Sequence, residues 1–160
     1  MGDVALQAGV SKALVHYHFK DKDSLLQSLV DDVGFAVLRR ARDAMAMAKD
    51  AHALDAYWAW LHEELRAGDL RILISLAEYD SEHVRAASRR VADERRVVAA
   101  EHTALVFERL GLEPRVPAEL IGDTVLAFTD GMATVHSLNP TRDPRPAFDV
   151  LWLALLTLAE

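Results

Sequence analysis

The sequence contains no cysteine, which excludes disulfides and thiolate-held metals and is compatible with a reducing cytoplasm, the expected compartment. No apolar run is long and uninterrupted enough to cross a bilayer, and the N-terminus lacks a charged lead before an apolar stretch, so no membrane partner is expected. Alternation of apolar and polar residues, the mark of a half-buried strand, is missing throughout. Also missing are a G-x-S-x-G nucleophile turn, a glycine loop that would cradle phosphate, and any carboxylate pair set apart by its surroundings. His62-Glu63 begins like the zinc-binding H-E-x-x-H, but the fifth residue is Arg66. His16 and His18 stand two residues apart, which on a helix points them roughly 200° away from each other, so they cannot share one ion. No enzyme activity, cofactor or metal is expected.

What is present is helical. With 51% apolar and 27% charged residues, the 160-residue chain can build a sizeable core. Asp21 is suited to cap a long helix whose inner stripe reads Leu25, Leu26, Leu29, Val33, Ala36 and Val37 and continues toward Ala48. A helix near 53 to 67 carries Leu54, Tyr57, Trp58, Leu61 and Leu65 and stops at Gly68, after which Asp69 can cap a short one. Residues 82 to 110 read as a long helix, with Val84, Val91, Val98, His102, Leu105 and Val106 inside and Arg85, Arg89, Arg90, Arg95 and Arg96 mostly outside. Pro117 opens the next helix, which Asn139-Pro140 ends, and Asp143-Pro144 with Pro146 opens the last. The fold class is all-α, without internal repeat or low-complexity linker.

The N-terminal stretch is the most specific part. Ala5, Leu6, Gln7 and Ala8 favour a helix that Gly9 can end in the left-handed conformation, and Ser11 can cap the next helix. A helix start favours phosphate oxygens for the reason it needs a cap: its first backbone N–H groups lack partners. The net charge of −7 seems opposed to nucleic acid. In residues 1 to 30, however, Lys12, Lys20 and Lys22 balance Asp3, Asp21 and Asp23, so the acidity lies wholly in residues 31 to 160.

Residues 4 to 25 resemble the tetracycline-repressor (TetR) family of one-component bacterial regulators, through Ala8-Gly9-Val10-Ser11, then Tyr17-His18-Phe19, then Lys22 at fixed spacing. The resemblance implies a helix-turn-helix head over 1–30, joined by a long helix to an effector-binding and dimerisation body over 31–160. It implies base contacts from Lys12, Ala13, Leu14 and His16, and phosphate contacts from Ser11, Tyr17, His18 and Lys22. Many members carry Thr and Tyr where this chain has Leu14 and His16, and Leu14 is suited to a thymine methyl. The family also places an arm and a first helix ahead of this stretch, whereas Met1-Gly2-Asp3 leads almost directly into the second. The head is therefore expected to be incomplete, through a shortened chain or a misassigned first codon, to bury too little to be rigid, and to bind DNA weakly without the upstream helix.

In the body, Tyr57, Trp60, Leu61, His102, Phe128 and Met132 are candidates for a cavity holding a small apolar effector, which the resemblance implies. The alternative for the aromatic residues is an ordinary core, and for His102 a buried histidine with its own hydrogen-bond partner. The last two helices, 118 to 138 and 146 to 158, hold an excess of apolar residues. The resemblance implies a homodimer there, with Phe128, Gly131, Val135, Trp152, Leu155 and Leu156 in contact over about 1,500 Å² or more. Burial within one subunit is the alternative. The expected function is a DNA-binding transcriptional regulator, a repressor released from double-stranded operator DNA by its effector. The alternative is a helical ligand-binding and dimerisation module that does not bind DNA.

Overall fold

The computed structural model describes residues 1–48 and 52–160. Among them are eight helices and no strand: α1 (Gly2–Gln7), α2 (Lys12–His18), α3 (Lys22–Met47), α4 (Ala53–Ala67), α5 (Asp69–Ala77), α6 (Glu82–Arg109), α7 (Ala118–Leu138) and α8 (Arg145–Leu156). The C-terminal tail pairs briefly with the α6–α7 loop, where Arg115 N–H donates to Leu158 O at 2.8 Å.

Local chemistry sets most boundaries. Asp21 and Ser24 form a reciprocal capping box at the start of α3: the Asp21 carboxylate accepts from Ser24 N–H at 2.8 Å, and Ser24 Oγ accepts from Asp21 N–H at 3.2 Å. Gly68 takes φ 80° and closes α4 in a conformation that a side chain would oppose. Asp69 does not cap α5. Gly68 occupies the cap position, and the Asp69 carboxylate instead accepts from Arg40 at 2.6 Å.

Helix α6 is the central post, packed chiefly against α7 and α3. Two glycines permit the approach. A Cβ on Gly122 would lie 2.7 Å from the backbone of Ala100, and one on Gly34 would lie 2.6 Å from Val91. Gly34 also explains why the buried stripe of α3 is Val30, Gly34, Val37, Leu38, Ala41 and Met45, and not the leucine-rich face anticipated. The face that meets the bundle is the one that lets α6 come close, so Leu29 is turned to solvent. The core continues through Leu61, Leu70, Val106, Phe107, Ile121 and Phe148.

The charged residues of α3 to α7 also join the elements. Arg40 clamps Glu64 of α4 through two hydrogen bonds of 2.6 and 2.8 Å, and Glu64 is 1% exposed. Arg95 was grouped with arginines lying mostly outside, yet it is 8% exposed and forked onto Asp130 of α7. Its stem crosses the α6–α7 seam, where the carboxylate compensates the buried charge. Arg90 and Arg96 do face outward, paired with Asp31 and Asp123.

Candidate DNA-binding head and hollows of the body

The head is built from α1, a turn and α2. Gly9 adopts φ 67° and Ser11 the extended backbone of a cap, its Oγ accepting from Leu14 N–H at 3.1 Å. Only Ala5 and Val15 are buried, so the head rests on few contacts. Ser11, Lys12, Ala13, Leu14, His16, Tyr17 and His18 are all exposed along α2, and Tyr17, at 84%, is almost free of the fold. Tyr17 and His18 meet edge to face at 5.2 Å. Lys22 opens α3 next to them, exposed, with its Nζ 5.1 Å from the ring centre of Tyr79 in the α5–α6 turn. That cation–π contact ties the head's end of α3 to the body, a pairing the sequence did not reveal.

The six candidate cavity residues are divided. Tyr57, Trp60 and His102 line an internal void of about 20 Å³ with Leu38, Arg95, Val98 and Thr129. A void of that size holds about one water molecule. Leu61 is fully buried in the core and does not line it. Phe128 and Met132 border a separate groove of about 440 Å³ beside the end of α7 and the start of α8. The internal void is more polar than anticipated. Burial, and then Arg42, hold the His102 imidazole down to about 4, so it is neutral at pH 7. Burial also pushes the Tyr57 phenol up to about 12. Tyr57 packs edge-on to Trp60, His102 and Trp152 and stacks near Phe148, so most of the aromatic group is core.

The candidate subunit-contact residues also separate. Trp152 and Leu155 are buried within the subunit, where Trp152 and Phe148 pack on Tyr57 of α4. Leu156 packs partly on the same core. Gly131 and Val135 are exposed, and Phe128 is half-buried. One exposed stripe of α7, Leu120, Thr124, Ala127, Gly131, Val135 and Leu138, carries no charge, with Glu119 and Ser137 exposed beside it. On α8, Pro146, Ala147, Val150, Leu153 and Ala154 are exposed and uncharged, while Arg145 and Asp149 pair with each other, half-buried. The spacing of three and four along α7 was visible in the sequence. Trp152 and Leu155, among the largest apolar residues of α8, lie on its inner side.

Residues 1–29 match the family model described as bacterial regulatory proteins, tetR family. No curated protein sequence matches the chain. Among solved structures, a transcriptional regulator from Rhodococcus sp. RHA1 is 22% identical, with TM-score 0.78 over 99% of this chain and 85% of its own. A proposed transcriptional regulator from Pseudomonas aeruginosa PAO1 is 24% identical, with TM-score 0.73 over 94% and 75%. The Bacillus subtilis regulator FadR, solved with stearoyl-CoA, is 16% identical, with TM-score 0.68 over 96% and 84%. These likenesses establish the fold of the whole chain, and the family match falls on the helix-turn-helix described above. The head thus matches the tetR family of bacterial regulatory proteins over residues 1–29, and the chain shares its all-helical fold with solved transcriptional regulators.

Proposed function

We propose that the chain is a homodimeric transcriptional repressor that leaves operator DNA when a small molecule binds its body. The observation that carries this reading is the head: a capped α2 whose Lys12, Ala13, Leu14 and His16 are exposed together, with Ser11, Tyr17, His18 and Lys22 exposed as well. An acidic body does not oppose this, since residues 1–30 are themselves neutral and a dimer brings two heads to the duplex.

The uncharged face of α7 and α8 supports the dimer. In a chain with 18 basic and 25 acidic residues, eleven exposed positions without a charge on two adjacent helices are unusual for a surface left in water. On this reading Val150 and Leu153 take the places first given to Trp152 and Leu155. Release requires a ligand that binds the DNA-incompetent arrangement better than the competent one, since only differential affinity shifts the equilibrium. Helix α3 runs from the head into the body and is the element through which that difference would act. FadR with its stearoyl-CoA supports the view that a body of this fold accepts a ligand.

The test is a mobility-shift titration on a palindromic promoter fragment, paired with sedimentation. Half-sites about 34 Å apart are expected for two recognition helices in successive major grooves. Lys12→Ala should relax the choice of base at one position, and Lys22→Ala should weaken all sequences alike. Leu153→Glu should give a monomer that binds DNA far more weakly. A wild-type chain that is monomeric at high micromolar concentration, or one indifferent to sequence, refutes the reading.

A further inference from the structure

A hollow of about 230 Å³ lies between α5 and α6 and reaches Asp130 of α7. Leu73, Ile74, Ala77, Val91 and Ala92 make its walls apolar, and its polar groups are Glu78, Ser88, Arg95 and Asp130. None of these residues lies on the uncharged stripe of α7 and α8, so the subunit contact proposed above does not use them.

The polar groups are not equivalent. Both carboxylate oxygens of Asp130 accept from the buried Arg95, so that pair is closed: an anion would have to break it, and a cation would have to displace a guanidinium. Glu78 is different. It ends α5, is exposed, and has no ion-pair partner among the described residues. Ser88 Oγ is buried in the same hollow, also without a hydrogen-bond partner among the described residues. A buried hydroxyl left unpaired is costly, so it favours an occupant that supplies its partner. The hollow therefore offers one uncompensated negative charge, one unused hydroxyl and apolar walls.

We propose that this hollow binds a small organic amine as its ammonium ion, with the charge on the Glu78 carboxylate, an N–H donated to Ser88 Oγ, and the hydrocarbon against Ile74, Ala77, Val91 and Ala92. A primary amine keeps its charge at pH 7, as lysine does, and apolar walls with a few convergent polar groups are the usual make-up of a small-molecule site. Drug-sized ligands take about 300 to 1,000 Å³, so the occupant here is smaller, a chain of a few carbons. Its position gives it a route to the head. Glu78 is followed in the α5–α6 turn by Tyr79, whose ring centre lies 5.1 Å from Lys22 Nζ. Drawing Glu78 toward the hollow therefore acts on the turn that holds Lys22. As a statement of the effector's chemical class, the inference rests on the regulator reading above.

The experiment is calorimetric titration of the full chain, at pH 7 and low salt, with pentylamine, 1-pentanol and pentanoate in turn. Pentylamine should saturate one site per chain, 1-pentanol should bind about fivefold more weakly, and pentanoate should not saturate; a factor of about five is the upper end for an exposed ion pair. Glu78→Gln should weaken pentylamine by the same factor and leave the alcohol unchanged. Ala92→Leu, an exposed change that fills the hollow, should weaken amine and alcohol alike by at least tenfold. No saturation by pentylamine, equal binding of amine and alcohol, indifference to Glu78→Gln, or full binding by Ala92→Leu overturns the site. If pentylamine binds as expected but leaves the DNA titration unchanged, the site stands and the effector role fails. A chain that takes up pentylamine but binds no DNA refutes the regulator reading and leaves the amine site in place.

Discussion

Removing Arg40 should destabilise the protein by more than the pair contributes, and a second substitution should restore much of the loss. Arg40 lies on α3 and forks onto Glu64 of α4, with a third bond to Asp69 at the start of α5. Glu64 is almost wholly enclosed, so Arg40→Met leaves a carboxylate in a dry site with no cation opposite. Breaking a buried pair from one side costs about 3 to 5 kcal/mol. The guanidinium side chain is itself 38% exposed, and water can enter where it leaves, so the lower figure of about 3 kcal/mol applies. At about 3 °C per kcal/mol for a chain of this size, the melting temperature should fall by about 9 °C. Arg40→Met with Glu64→Leu replaces the ion pair by apolar groups, which is often neutral, and Asp69 remains accessible to water. The double variant should therefore recover about 2 kcal/mol relative to the sum of the single changes. Urea unfolding followed by circular dichroism measures all four chains, with unchanged slopes confirming that the unfolded states are comparable. Additive losses, with no recovery in the double variant, would show that Glu64 is not held by Arg40 and refute the reasoning.

Three further outcomes follow from other parts of the fold. His102 is held near 4 when folded and near 6.5 when unfolded, so the unfolded chain takes up the proton first, and stability should drop as pH falls from about 6.5 to 4 and then level off, by at most about 3 kcal/mol; His102→Phe should flatten that part of the profile. Gly122→Leu should lower stability by about 1 to 3 kcal/mol, because a Cβ there meets the backbone of Ala100, whereas Gly131→Ala, with nothing within 4 Å, should be neutral or gain up to about 1 kcal/mol in thermal melts. Ser11→Ala removes the only side-chain cap of α2 and should cost the head about 1 kcal/mol, seen as weaker DNA binding with no change in the melting of the body.

The elements were legible in the sequence because their signals are local. Gly9, Gly68 and Gly111 adopt the positive φ that ends a helix, Ser11 and Asp21 cap the helices that follow them, and α4 spans Ala53–Ala67 as read. The exposed residues of α2 were legible for the same reason, since a seven-residue helix with one buried valine leaves little to decide. What failed was rotation. A helix such as α3 offers several apolar rows, and which row faces inward depends on how closely α6 can approach, a fact carried by Gly34 and Val91 from different parts of the chain. The same limit applies to α8: Trp152 and Leu153 are neighbours of similar hydrophobicity, and only the placement of α4 makes one core and the other surface.

Charge was the least legible property, because a sequence counts ionisable groups without showing which are compensated. Arg95 reads like its exposed neighbours, yet it is buried once Asp130, 35 residues away, is brought beside it. Arg142 reads like any loop arginine, yet among the described residues it is left without a carboxylate in a strongly acidic protein. The two arginines therefore differ in what a ligand could gain from them. To use Arg95, an anion must first separate it from Asp130 in a nearly dry seam, losing much of what it gains. At Arg142 an anion displaces only water. A hollow lined by available cations is thus a better candidate for anion recognition than one whose charges are already paired.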